Sequence, residues 1–172
     1  MKSKKEQYIL LFKEINSQDV ALVGGKNASL GEMLSQLTKK GINVPDGFAL
    51  TTAAYWRYLK ANQIDGKLKE IFQSFNPKRI ESLQKVGKAS RALILNGTVP
   101  SDLREEIITA YQVLGQKYGL NPTVAVRTSG VAEDTATASF AGQFETYLNV
   151  RGEQNLLAAV KKSIASTFTD RA

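Results

Sequence analysis

The chain has 172 residues, 42% of them hydrophobic and 23% charged, which suits a soluble globular protein with a real core, as one domain or two small lobes. It carries 23 lysines and arginines against 16 aspartates and glutamates, a formal charge of +7, with no histidine and no cysteine. Those absences exclude a disulfide framework and a thiolate metal site, and remove the commonest general base, phosphate carrier and metal ligand.

The N-terminus, Met1-Lys2-Ser3-Lys4-Lys5, is basic, but the apolar run from Tyr8 to Phe12 is closed by Lys13-Glu14 and is too short for a secretory signal. No segment approaches the roughly 18 to 20 apolar residues that span a bilayer, so a cytoplasmic protein without a membrane partner is expected. Tyr8 to Ile15 reads as a first strand, and Ala21-Leu22-Val23 leads into Gly24-Gly25-Lys26. From Asn27, apolar residues recur at helical spacing (Leu30, Met33, Leu34, Leu37), with Lys39-Lys40 and Gly41 as a stop signal. Val44-Pro45-Asp46-Gly47 reads as a turn and Phe48-Ala49-Leu50 as a strand, after which Thr51 or Thr52 can cap a helix through Leu59. Three more helices are expected near 65–75, 78–95 and 101–118. The second aligns Ile80, Leu83, Val86 and Leu93; the third aligns Leu103, Ile107, Leu114 and Tyr118.

Strand character then returns. Val124 and Val126 mark one strand, and Phe144 to Val150 another with Thr146, Leu148 and Val150 on one face. A final amphipathic helix carries Leu156, Leu157, Val160, Ile164 and Phe168. The pattern implies an α+β fold, a helical middle flanked by mainly antiparallel strands, with a soft boundary near Asn121 between a helix-rich 1–120 and a strand-helix lobe 121–172.

Two stretches carry candidate chemistry. In Gly24-Gly25-Lys26 the glycines let backbone amides approach an anion at a helix start, and Lys26 adds a mobile charge. It is not a Walker A loop, since Val20 stands six before the lysine and Asn27 follows it. A plain turn before a helix explains the same three residues. Arg127 ends the first late strand, where a guanidinium can fork onto phosphate oxygens, and Ser129, Gly130, Thr135, Thr137 and Ser139 supply hydroxyls and flexible backbone behind it. A polar hairpin, with Arg127 paired to Glu133-Asp134, fits equally well.

Residues Leu22 to Met33, Val44 to Thr52 and Val124 to Gly152 resemble, in order and spacing, the opening of the phosphoenolpyruvate synthase (pyruvate, water dikinase) family. The wider group includes pyruvate phosphate dikinase, rifampicin phosphotransferase and glucan water dikinases. The resemblance implies the first lobe of an ATP-grasp-type nucleotide-binding domain, with Lys26 and Arg127 on ATP phosphates and Thr128, Ser129, Ser139, Gly142 and Gln143 around them. It also implies Mg²⁺, though no ligands for it are found in this chain. The family usually reads Arg-Ser-Ser-Ala-Thr-Ala-Glu-Asp where this chain has Arg127-Thr128-Ser129-Gly130-Val131-Ala132-Glu133-Asp134.

By the same resemblance the family's second lobe, phosphohistidine domain and pyruvate-binding barrel are missing here. The chain is expected to be an inactive N-terminal piece with no catalytic residue of its own, its partners being ATP and the rest of the parent. Alternatives are the same piece of a related dikinase or antibiotic phosphotransferase, or a basic nucleic-acid-binding module. Against the last, no basic run exceeds two residues and no aromatic stripe is interleaved, so no nucleic acid partner is expected.

Overall fold

The apolar run after Tyr8 holds strand geometry for only three residues. The computed structural model describes residues 3–130 and 144–169, together with the main chain of 134–135 and 138–139. In it β1 spans Ile9–Leu11 and gives way to a 3-10 turn at Phe12–Glu14. The strand expected to reach Ile15 ends early for a local reason. The Glu14 carboxylate accepts the Leu11 amide at 2.8 Å, and the Phe12 carbonyl accepts the Ile15 amide at 3.1 Å. β1 pairs antiparallel with β2 (Phe48–Leu50), Ile9 opposite Leu50 and Leu11 opposite Phe48.

Between these strands lie α1 (Val20–Val23) and α2 (Gly25–Leu37), the latter followed by a 3-10 turn and by Gly41 in the left-handed conformation at φ 77°. The predicted stop is therefore real. The predicted face is displaced, with Leu30, Leu34 and Leu37 only half-buried. The buried residues of α2 are Gly25, Ala28 and Gly31, whereas Met33 is 41% exposed. A Cβ on Gly31 would lie 2.5 Å from the Ile15 carbonyl oxygen, so the helix touches a backbone that larger residues would hold off.

Helices α3 (Thr52–Ala61), α4 (Ile64–Gln73), α5 (Ile80–Asn96) and α6 (Ser101–Tyr118) form the helical middle. Thr51, not Thr52, caps α3: its hydroxyl accepts the Ala54 amide at 3.3 Å and donates to the Gln7 carbonyl at 2.6 Å. Strands β3 (Val124–Arg127) and β6 (Thr146–Val150) pair antiparallel, as do the short β4 (Asp134–Thr135) and β5 (Ala138–Ser139), and α7 spans Glu153–Ser166. The chain is thus α+β, and every strand pair among the described residues is antiparallel.

The chain divides into two compact units, neither contiguous in sequence. One comprises Met1–Tyr55, Asp102–Pro122 and Ser129–Ser139; the other comprises Trp56–Ser101, Thr123–Thr128 and Phe140–Ala172. In the first, Leu10, Ile15, Val23, Ala28 and Ala49 form a buried cluster. On α6, Leu103, Ile107 and Leu114 are buried as predicted, while Tyr118 is exposed. Asp19 is also buried, accepting the Asn16 amide at 2.9 Å and paired with Lys4. Burial alone pushes this carboxyl up, but the Lys4 hydrogen bond, the Asn16 amide and the lysine charge outweigh it and leave it below the ordinary carboxylate value. A lowered folded-state value means the stabilisation is present above the unfolded carboxylate value near 3.8 and fades as pH falls through that value toward the folded one. Urea titrations at pH 6 and pH 3.5 should therefore show Asp19→Asn losing about 1–2 kcal/mol at the higher pH and less at the lower.

In the second unit α5 packs along α7, and α7 also lies against β3 and β6. The buried residues of α5 are Val86, Gly87, Ser90 and Ile94, whereas the predicted Ile80 and Leu83 are exposed. The face is rotated because a glycine and a serine, which carry no hydrophobic signal, sit at its centre. The Arg91 guanidinium donates to the Phe168 carbonyl at 2.6 Å, and Lys161 donates to the Leu95 and Gly97 carbonyls, closing the end of α5.

Candidate functional site

In the first unit the candidate chemistry sits at the start of α2. Gly24 takes φ 79° and ψ 162°, a conformation essentially reserved for glycine, and aims the chain into the helix. Lys26, half-buried, therefore stands in the first turn, where the leading amides fall outside the helix's own ladder. The Asn27 amide donates to the Ser129 Oγ at 3.2 Å, across 102 positions of sequence. A Cβ on Gly24 would lie 2.2 Å from the Ser129 carbonyl oxygen and 2.4 Å from its Oγ. Gly24 and Ser129, read separately from the sequence, are thus in direct contact. Asn27, which sequence reasoning passed over except as a departure from Walker A, steadies the same turn by donating its side-chain amide to the Val23 carbonyl at 3.0 Å.

In the second unit Arg127 ends β3 opposite Thr146, and its side chain is exposed. Val124 pairs with Val150 but Val126 pairs with Tyr147, so β6 carries an extra residue between these pairs. Asn149 absorbs it with φ 56°. That bulge breaks the predicted alternation: Leu148 is 68% exposed while Val150 is buried. The Thr128 hydroxyl is tied to α7, 3.0 Å from the Ser163 carbonyl, 2.9 Å from the Ser163 Oγ and 3.1 Å from the Ser166 Oγ. Both serines lie on the buried face of α7, at a spacing of three that was the only sequence signal for them. The Tyr147 hydroxyl donates to Glu145 at 2.7 Å, and burial, followed by that carboxylate, pushes the phenol up to about 12.

Ser139 lies on β5, paired with Asp134, and only its main chain is described. Glu133, Gly142 and Gln143 lie outside the described residues. Among the described residues, no group of three or more histidine, cysteine, aspartate or glutamate side chains is disposed to hold a metal ion. No helix among them is long and apolar enough to cross a membrane.

A helix start with unladdered amides and an adjacent lysine, and an exposed arginine at a strand end, are donor sets that fit phosphate oxygens. They occur in a chain whose residues 20–172 match the family model described as pyruvate phosphate dikinase, AMP/ATP-binding domain. The chain belongs to that family. It is 48% identical over 167 residues to the phosphoenolpyruvate synthase of Helicobacter pylori, which covers 96% of this chain and 21% of the relative. It is 44% identical to the phosphoenolpyruvate synthase of Aquifex aeolicus over 98% of this chain and 20% of the relative. The probable phosphoenolpyruvate synthase of Methanocaldococcus jannaschii is 40% identical, with 99% of this chain covered and 14% of the relative. The chain spans about a fifth of the length of the first two.

Proposed function

We propose that this chain is the ATP-binding N-terminal part of a phosphoenolpyruvate synthase, an enzyme converting ATP, pyruvate and water to phosphoenolpyruvate, AMP and phosphate through a phosphohistidine. The observation that carries the reading is the family match, which takes in both candidate phosphate-binding stretches. The names of the relatives favour a synthase over a related dikinase or an antibiotic phosphotransferase. An ATP-grasp-type first lobe is the fold assignment that goes with it.

Lys26 with the start of α2 in the first unit, and Arg127 in the second, are the cations we assign to the ATP phosphates. Bound ATP would supply the phosphoryl group, and Mg²⁺, implied by the family resemblance, would help neutralise its phosphates. The chain's own part is to hold phosphate oxygens and offset their charge. Thr128 and Ser129 have their hydroxyls engaged by α7 and by the Asn27 amide, so their contribution is to position the residues beside them. Ser139, Gly142 and Gln143 complete the assignment as the cover over the phosphates.

In the full-length enzyme, Lys26→Ala is expected to lower ATP-dependent histidine phosphorylation about a hundredfold. Arg127→Lys should restore little of what Arg127→Ala removes, because a lysine lacks the guanidinium fork. Phosphorylation rates unchanged by Lys26→Ala would take Lys26 out of the site.

A further inference from the structure

In the second unit β3 and β6 form a two-stranded sheet with α7 against one of its faces. The register shows which side chains turn toward that helix. Val126 stands opposite Tyr147, whose hydroxyl lies 3.4 Å from the Lys162 carbonyl of α7, and Thr128 meets Ser163 and Ser166. Directly opposed residues share a face and successive residues alternate. Arg127, its partner Thr146 and Leu148 two positions further on therefore project from the face away from α7. All three are exposed, Leu148 at 68%. Neither the Arg127 guanidinium nor the Thr146 hydroxyl has a hydrogen bond or ion pair among the described residues.

The bulge in β6 fixes where this outer face ends. Regular alternation after Leu148 would bring Val150 out beside it, but the extra residue turns Val150 inward, where it is buried. Asn149 takes φ 56° to do so, a conformation that residues other than glycine enter at a cost. Bulges of this kind re-aim a side chain and are frequent beside ligand sites.

A lone exposed leucine is ordinary on a protein surface. This one stands two strand residues, roughly 7 Å, along from the position opposite Arg127. The face thus offers a cation at one end and an apolar side chain further along. It fits a ligand that is anionic at one end and flat and apolar at the other. The family to which the chain belongs is described as AMP/ATP-binding, and a nucleotide has that polarity, phosphates at one end and a heterocyclic base at the other.

We propose that Leu148 is a nucleoside contact: the base of ATP lies on its side chain while Arg127 holds phosphate oxygens on the same sheet face. The inference rests on the assignment of Arg127 to the ATP phosphates. An apolar contact to the face of a base carries no hydrogen-bond code, so Leu148 separates nucleotides from inorganic polyphosphates and not one base from another.

The test uses the full-length enzyme, with inorganic tripolyphosphate, which has phosphates but no nucleoside, competing against ATP in histidine phosphorylation. Leu148→Ala is expected to raise the KM for ATP roughly three- to tenfold. It should leave kcat and the inhibition constant of tripolyphosphate unchanged, which also shows that the sheet is intact. Leu148→Met, still apolar, should restore most of what alanine removes, and Arg127→Ala should weaken both ligands. An ATP KM unchanged in Leu148→Ala, or equal weakening of ATP and tripolyphosphate, overturns the Leu148 contact. Failure of the phosphate assignment on which it rests reads differently: Arg127→Ala then weakens neither ligand.

Discussion

Gly24→Ala is expected to destabilise the fold by about 3 kcal/mol or more, through two independent effects. The backbone at Gly24 has φ 79° and ψ 162°, which alanine enters only at a cost of about 1–3 kcal/mol. The new methyl would also start 2.2 Å from the Ser129 carbonyl oxygen, so the Ser129 segment or the start of α2 must move. Gly41→Ala gives a clash-free reference at a milder positive-φ site, with ψ 8°. Gly41 also has positive φ, 77°, but a Cβ there meets nothing within 4 Å, so only the backbone term of about 1 kcal/mol applies. Ser129→Gly supplies a second control. It removes the Oγ that would lie 2.4 Å from the new methyl but leaves the carbonyl, so it should not rescue Gly24→Ala. Chemical denaturation of the parent chain, the single variants and the Gly24→Ala, Ser129→Gly double variant measures the differences. If Gly24→Ala and Gly41→Ala lose equal stability, the Gly24–Ser129 contact has no steric consequence.

This contact also marks where sequence reading stops. Helix ends were legible because the stop signals are local: Gly41 takes positive φ just beyond α2, and α6 runs from Ser101 to Tyr118 as the Pro100 and Gly119 flanks imply. Helix faces were legible on α6, where large apolar residues line the buried side. They were only partly legible on α2 and α5, where Val86 is buried as predicted but Gly25, Ala28 and Gly31 in one and Gly87 and Ser90 in the other are buried for being small. Periodicity counts bulk, whereas close approach of a helix to a backbone requires its absence. β6 failed for another reason: a bulge with Asn149 at positive φ shifts register inside five residues, so period two is lost.

The candidate site divides along the same line. Lys26 and Arg127 were identifiable as cations next to glycine or at a strand end, but composition favoured a plain turn at the first and fitted a solvated hairpin equally well at the second, so their assignment to phosphates rests on the family resemblance. What neither spacing nor resemblance contains is the support beneath those cations. Ser129 reaches the Asn27 amide from 102 positions away, and Thr128 meets Ser163 and Ser166 from 35 and 38 positions away. Two consecutive residues with similar side chains thus serve different helices, and no local pattern separates their roles.

Thr128→Val is the second substitution with a large expected effect, about 2–3 kcal/mol, because it keeps the shape and removes only the hydroxyl. The proton arithmetic is restrictive. Ser166 donates to the Ser163 carbonyl at 2.7 Å, so its proton is already placed. Thr128 can donate to that carbonyl, to the Ser166 Oγ or to the Ser163 Oγ, and in the first two cases the Ser163 hydroxyl donates to Thr128. Valine deletes the acceptor of Ser163 and the donor to its neighbours in one step, and both serines are buried, at 8% and 3% exposure. Thr128→Ser retains the hydroxyl and matches the residue usual in the family at this position, so it should stay within about 1 kcal/mol of the parent chain. Thr128→Val combined with Ser163→Ala removes both partners and should recover part of the loss, since a buried hydroxyl without an acceptor is costlier than none. In the same variants the backbone amides of β3 and of the last turns of α7 should exchange faster with Thr128→Val alone. Equal stability of the valine and serine variants would mean that β3 is held to α7 by packing and not by these hydroxyls.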